Sequence, residues 1–291
     1  MAFEEDPDRT VELLWRGSRD AAPRQGLSVG AIVRAAVEIA DADGVEGLSM
    51  RRVGERLGFT SMSLYRHVPG KAQLIDLMCD TVMGDVATSG TDGGGAAGTP
   101  HGWREALEGW ARRCWALCRR HPWLAEVRGT RHVPGPNSVA QFEYALGTVA
   151  GIGLKPAEMV AVVGLVGRFV DSEAARAAEV ARAERHTGVS EEEWWGARES
   201  LYEKLHLYPT LTHVWEAGGY DEPEDSFEFG LRRVLDGIEV LVRERDEKRD
   251  ESASCATCGT GMDRAETGRP RAYCSRACQQ RAYRRRRRST S

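Results

Sequence analysis

An all-α fold is what this 291-residue sequence predicts, and three observations predict it. Apolar residues recur at helical spacing in one stretch after another, and no stretch alternates in the manner of a strand. The stretches open at residues that cap helices or start their first turn, namely Ser28, Ser49, Thr60, Pro156 and Ser190. They close at helix stops such as Gly44, Gly58, the Pro69 and Gly70 pair, Gly151 and Gly153. The chain is long enough for two compact units plus tails. Its 41% hydrophobic and 29% charged residues are the balance of a soluble globular protein.

The net charge of −4 hides an asymmetry. Residues 252–291 carry ten Arg and no Lys against Asp263 and Glu266, a sum of +8, which leaves −12 for residues 1–251. Four of the seven cysteines lie in the same tail. No run approaches the roughly 18 to 20 apolar residues of a membrane span, and the best candidate, residues 159–170, is broken by Arg168. The first residues carry Glu4, Glu5, Asp6 and Asp8 in place of an apolar signal core. A cytoplasmic, reducing setting, without disulfides and without a membrane partner, is therefore expected.

Residues 1–26, with Pro7, Pro23 and scattered charge, read as a flexible arm in which Arg16, Arg19 and Arg24 are most simply solvated. Residues 27–70 are organised differently. Ser28 caps a helix whose Ile32, Val33, Ala36, Ile39 and Ala40 share a face. Ser49 opens a shorter one with Val53 and Leu57 one turn apart, Gly58 turns the chain, and Thr60 caps a third helix with Met62, Leu64 and Tyr65. Three short helices with tight connections form a helix-turn-helix unit. The first turn of a recognition helix faces base edges and suits small or adaptable side chains, here Thr60, Ser61, Met62 and Ser63. Donors for phosphates flank it: Ser49, Arg51, Tyr65, Arg66, His67 and Lys71. Between residues 49 and 71, four Arg and one Lys stand against Glu55 alone, a local charge that suits DNA.

The block Val53, Leu57, Gly58, Leu64, Tyr65, His67 and Lys71 resembles the DNA-binding domain of the tetracycline-repressor (TetR) family of transcriptional regulators. The resemblance implies that residues 60–63 face bases and that Tyr65, His67 and Lys71 touch phosphates. It also implies a homodimer acting on a double-stranded DNA operator. Phe59 stands where a smaller aliphatic is usual, and Val68 where Phe is common. Both are apolar, so a small packing shift with the fold intact is expected.

A helical effector-binding and dimerisation domain is expected over residues 71–250. Leu74, Ile75, Leu77, Met78 and Val82 continue as a helix to about Val86. Residues 88–100, with five glycines and almost no apolar bulk, read as a flexible loop. Trp103, Leu107, Trp110, Cys114, Leu117 and Cys118 form one stripe, on which the two cysteines read as small core residues ahead of a metal or redox pair. Trp123 and Leu124 begin a break, Phe142, Leu146 and Val149 mark the next helix, and Pro156 starts a long one reaching about Arg185. Ser190 and Glu193 form a capping box for a helix carrying Trp194, Trp195, Leu201 and Leu205. Pro209 and the Gly218-Gly219 pair bound a short piece. The last large helix, from about Asp225 to Asp250, has Phe227, Leu231, Leu235, Ile238 and Val242 on one face. The resemblance implies that the helices around 157–185 and 225–250 pair with a second subunit in a four-helix bundle. On periodicity alone the same faces could be internal core.

The resemblance also places a small-molecule effector pocket among the core helices. Candidate linings are Trp103, Trp110, Trp115, Phe142, Phe169 and Trp195, with His132, His206 and His213 as polar anchors. The plainer reading of each is ordinary core or surface. An effector would act by favouring a conformation in which two recognition helices no longer sit one DNA turn apart.

Residues 251–291 form a separate, zinc-finger-like segment. Cys255 and Cys258 are separated by two residues, Cys274 and Cys278 by three, with fifteen between the pairs, so four thiolates can converge on zinc. Gly259 suits the tight turn after the first pair. The sequence then runs QQRAYRRRRR, a block that binds polyanions with little base selectivity. The whole predicts a sequence-specific DNA-binding regulator, a repressor released by an effector. The alternative is a nucleic-acid-binding or interaction protein in which the finger is primary. The sequence has no nucleophile elbow, HExxH, phosphate loop or framed carboxylate pair, so an enzyme is not expected.

Overall fold

The computed structural model describes residues 7–17, 26–88, 102–127, 132–221, 224–251, 255, 257–262 and 272–289. The expected loop beyond Thr88, Arg19 and Arg24 of the arm, and residues 263–271 of the tail lie outside the described residues. The described residues form helices and no β-strand. In chain order these are α1 (Pro7–Gly17), α2 (Val29–Asp43), α3 (Met50–Leu57), α4 (Ser61–Tyr65), α5 (Lys71–Thr88), α6 (Trp103–Arg120) and α7 (Trp123–Val127). They continue with α8 (Pro136–Thr148), α9 (Pro156–Thr187), α10 (Glu191–Gly196), α11 (Glu199–Tyr202), a 3-10 turn (Leu205–Leu207), α12 (Pro209–Glu216), α13 (Ser226–Glu251) and α14 (Arg276–Ser289).

Two hydrophobic cores organise them, and α6 belongs to both. The first gathers Ile32, Val53, Leu64, Leu74 and Met78 from α2 to α5 with Leu117 and Cys118 from the end of α6 and Trp123 and Leu124 from α7. The second gathers Trp103, Leu107, Trp110 and Cys114 from the start of α6 with Val163 and Val166 of α9 and Phe227, Leu231 and Leu235 of α13. α6 thus carries buried side chains in both cores, and α9 adds Ala174 to the first beside its larger share of the second.

Polar contacts reinforce the same joints. On one side of α6, Arg104 pairs with Asp236 at 2.6 Å and Glu239 at 2.9 Å, and Arg112 with Glu228 at 2.8 Å, tying it to α13. Hydrogen bonds from Arg112 and Arg104 hold the Glu228 and Asp236 carboxyls below their ordinary values. On the other, Asp41 at the end of α2 accepts hydrogen bonds from His121 Nδ1 and Trp123 Nε1, each at 2.7 Å. Arg120 Nε donates to the second His121 nitrogen at 3.2 Å, which fixes that ring as donor toward Asp41.

Asp80 of α5 performs a different task. Buried at 6% exposure, its carboxylate accepts the backbone N–H of Ser138 at 2.8 Å and of Asn137 at 3.4 Å, so it caps α8 from another helix. Gly135 leaves it room, because a Cβ there would lie 2.3 Å from the Asp80 carboxyl carbon. Asp80→Ala is expected to cost about 2 kcal/mol in thermal or denaturant unfolding, since it strips the cap and its charge from the start of α8. Asp80→Asn, which keeps one acceptor, loses less.

Three expectations are corrected here. The arm contains a helix, α1, because Thr10 and Leu14, four residues apart, are buried, with Leu14 and the half-buried Leu13 joining the first core. Trp123 and Leu124 do not begin a break but form α7, with Val127 burying the same side. The capping box at Ser190 and Glu193 is present, yet its helix ends at Gly196, so Leu201 and Leu205 fall in α11 and the 3-10 turn.

Candidate functional site

The turn between α3 and α4 is built from backbone economy. Ser49 caps α3 by accepting the Arg52 N–H at 3.2 Å, and Gly58 ends it in the left-handed conformation, φ 75°. Thr60 caps α4, accepting the Ser63 N–H at 3.3 Å while its hydroxyl meets that of Ser63 at 3.0 Å. Val53, Leu64 and Val68 are each fully buried beneath the turn. Gly54 makes its tightness possible: a Cβ at that position would sit 2.7 Å from the carbonyl oxygen of Phe59. Sequence reasoning passed over Gly54, because a glycine inside a helical run carries no signal of close approach.

The outward surface of this unit carries most of the predicted contact residues. Met62 is 70% and Tyr65 45% exposed, and Arg66 is exposed with no ion pair among the described residues. Ser61, Ser63 and His67 are half-buried. Lys71 reaches back to donate to the Val45 carbonyl at 3.0 Å. Phe59 is 43% exposed, so the larger residue at that position projects outward rather than shifting the core. The positive charge is more committed than its count implies: Arg51 pairs with Glu55 at 3.1 Å, Arg52 with Asp43 at 2.5 Å and Arg56 with Glu38 at 2.6 Å. These are exposed pairs, weak in water and readily exchanged for a phosphate. Thr60 and Ser49 first serve as helix caps, each oxygen being occupied by a backbone N–H of its own helix start.

In the body, the aromatic residues named for an effector pocket separate. Trp103 and Trp110 are buried in the second core. Trp115 stacks on Phe227 with ring centres 4.7 Å apart, and Phe227 lies 5.8 Å from Phe169, making a ladder across α6, α13 and α9. Phe142 is corrected: it is 46% exposed, because α8 buries Gln141, Ala145 and Thr148 instead, a face rotated by one residue. His132 is no free anchor, since its Nδ1 meets Asp76 at 2.7 Å and its Nε2 the Val127 carbonyl at 2.6 Å. His206 bonds the Glu203 carbonyl, and His206 and His213 are both exposed on α11 to α12. Trp195 lies apart from these, lining with Trp194, Val180, Ala183, Thr187 and Val189 a cavity of about 230 Å³ at the end of α9.

Three interior polar groups escaped the sequence reading, one of them Gln73 Oε1 on α5. Beside Trp110, whose buried Nε1–H finds no hydrogen-bond partner among the described residues, Arg113 Nε and Gln141 Oε1 are equally unmatched. They sit on α6 and α8, which pack together. Polar residues on an otherwise apolar face were the available signal. Buried groups of this kind are costly unless a ligand or water satisfies them.

The tail brings its four cysteines together. The sulfurs of Cys255, Cys258, Cys274 and Cys278 all lie within 4.8 Å of one another, with Cys258 to Cys274 and Cys274 to Cys278 at 3.5 Å, and none is disulfide-bonded. Gly259, φ 71°, lets its N–H turn back to the Cys255 carbonyl at 2.9 Å, while the Cys255 N–H donates to Thr260. Backbone N–H groups, chiefly that of Cys274, draw the Cys255 thiol down to about 6. Hydrogen bonding from the crowded sulfurs of Cys258, Cys278 and Cys255 pushes Cys274 up to about 12. Cys114 and Cys118, in contrast, are buried core residues of α6.

A helix-turn-helix unit packed onto a larger helical body is the architecture of a DNA-binding regulator. The family described as "Bacterial regulatory proteins, tetR family" matches residues 32–78, and "Tetracyclin repressor-like, C-terminal domain" matches residues 97–242. The HTH-type transcriptional repressor DrrR1 of Streptomyces coeruleorubidus is 42% identical over 253 residues, covering 85% of this chain and 90% of its own. Among solved structures, the TetR regulator SCO7222 of Streptomyces coelicolor matches with TM-score 0.57 and 26% identity over 75% of this chain and all of that one. ActR of the same organism, in complex with actinorhodin, matches with TM-score 0.59 and 25% identity over 74% of this chain and 96% of that one. The chain belongs to the TetR family of transcriptional regulators.

Proposed function

We propose that the protein is a cytoplasmic, homodimeric repressor that holds a double-stranded DNA operator through residues 49–71 and is released from it by a small-molecule effector. The observation that carries this reading is the span of α6 across both cores, which places Leu117 in one core with the buried Leu64 of α4 and Trp110 in the core of the body. Residues 60–63 select bases, with Met62 reaching furthest, while Ser49, Arg51, Tyr65, Arg66, His67 and Lys71 grip phosphates. The partner subunit covers apolar side chains that a single chain leaves in water on α9 and α13, among them Val160, Leu165, Phe229 and Val240. The effector enters between α6, α8, α9 and α13. The unmatched Trp110 N–H and Gln141 oxygen suit a largely apolar molecule with a hydrogen-bonding edge. The tail cysteines suit zinc.

The test separates two kinds of contact. Tyr65→Phe and Lys71→Ala are expected to weaken binding to the operator and to a scrambled duplex alike, each by a few-fold. Ser61→Ala and Ser63→Ala are expected to change which operator base is preferred, by about tenfold at one position of each half-site. Titrations in which all four variants keep the wild-type affinity and preference would remove this assignment.

A further inference from the structure

The Arg-rich tail lies outside everything that the family match covers, which ends at residue 242. Its chemistry and its shape are coupled. Zinc–sulfur bonds of about 2.3 Å place the corners of a tetrahedron roughly 3.8 Å apart. The 3.5 Å sulfur pairs, inside a cluster no wider than 4.8 Å, match such edges. A space this small takes one ion and excludes a multi-iron cluster. Two relatively exposed sulfurs, Cys258 and Cys274, leave an entry path, while Cys255 and Cys278 are buried.

The cluster is also the start of α14. Cys278 stands on the first turn of that helix, its N–H bonded to Ser275 Oγ at 3.3 Å, and the Thr257 hydroxyl between the first two cysteines donates to the Cys278 carbonyl at 3.0 Å. The composition of α14 works against it. It has no acidic residue, and Arg276, Arg281, Arg284 and the four arginines that follow make it self-repelling. A helix of this length and charge does not persist in water unaided. An ion clamping its first turn supplies the nucleus, and the thiolate charge complements the helix start.

We propose that Cys255, Cys258, Cys274 and Cys278 bind one zinc ion, and that this site holds α14 in shape as a second, sequence-indifferent grip on the phosphates of double-stranded DNA. The inference rests on the DNA-binding reading above. An acidic body of charge −12 gains little from general attraction to DNA, so a dense block of positive charge tethered to it adds affinity at high effective concentration without adding selectivity.

The test uses the full-length dimer, a duplex that it selects from a random pool, and a scrambled duplex of equal length. Metal analysis should return one zinc per chain in the wild type and none in C255S/C258S. Replacing residues 284–288 by Gln should keep the zinc, weaken both duplexes about tenfold or more at physiological salt, and leave their ratio unchanged. It should also flatten the salt dependence by roughly 0.9 per arginine that meets a phosphate. The C255S/C258S variant should bind like the Gln variant and lose helical signal in circular dichroism. Protein that carries no zinc, or carries iron, overturns the metal site. A zinc-loaded Gln variant with the wild-type salt slope, or a tail that prefers RNA over the duplex, overturns the DNA grip. A wild type that binds selected and scrambled duplexes equally, while the tail variants behave as described, defeats the operator-reading assignment and leaves the tail proposal standing.

Discussion

Gly54→Leu is expected to reduce operator affinity by about a hundredfold or more while leaving the body folded. The Cβ alone would stand 2.7 Å from the Phe59 carbonyl oxygen, with Ser61 N at 3.4 Å, so a branched side chain has no rotamer that avoids the backbone of the turn. The turn must open, and α4, only five residues long, moves with it. Overpacking of this kind costs about 1 to 3 kcal/mol in stability, but the larger effect is positional, since base contacts tolerate little displacement. Binding to a scrambled duplex should fall far less. Paired titrations of the two duplexes make the comparison, and a variant that keeps its preference for the operator contradicts the assigned role of the turn.

Asp41→Ala is expected to lower stability by about 2 kcal/mol and operator affinity by about tenfold, with no change in salt dependence. Asp41 makes no contribution to the outward face of α4. Its carboxylate holds the junction of α6 and α7 against α2 by accepting from His121 and from Trp123, which is 1% exposed. Removing it leaves those two donors unmatched beside the core. Asp41→Asn, which retains one acceptor oxygen, should recover part of both losses. The joint lies at one end of the helix that spans both cores, so the same substitution should weaken the coupling that the proposed effector release requires. Chemical denaturation and salt-series titrations check the two halves. Unchanged affinity alongside lost stability would show that this joint carries no signal.

How much of this was written in the sequence depends on how local the determinant is. The three N-caps Ser28, Ser49 and Thr60 are single-residue chemistry, and each accepts its backbone N–H in the structure. The cysteine spacing is equally local, and the four sulfurs converge. What was not legible depends on partners distant in the chain. Among the described side chains of α1, Thr10 and Leu14 are the buried ones, too short a stripe to show a period. In α8 the apolar residues Phe142 and Leu146 suggested one buried face, whereas Gln141, Ala145 and Thr148 occupy it, because contacts from other helices override apolarity there. Trans-capping by Asp80 joins positions 57 residues apart, and no single-sequence pattern records it. Histidine carries the least local signal: residue type alone makes His132 a candidate pocket anchor, yet both its nitrogens are bonded within the fold.

The central claim is that residues 49–71, presented twice by a dimer, read a specific operator. Selection of bound duplexes from a random pool by the full-length protein, followed by protection mapping on the winners, tests it most directly. The account predicts a two-fold symmetric consensus whose half-sites lie about one helical turn apart, lost in Gly54→Leu and retained in the variant with Gln at residues 284–288. A pool that yields no consensus, or a single unsymmetrical site protected equally by both variants, would contradict it.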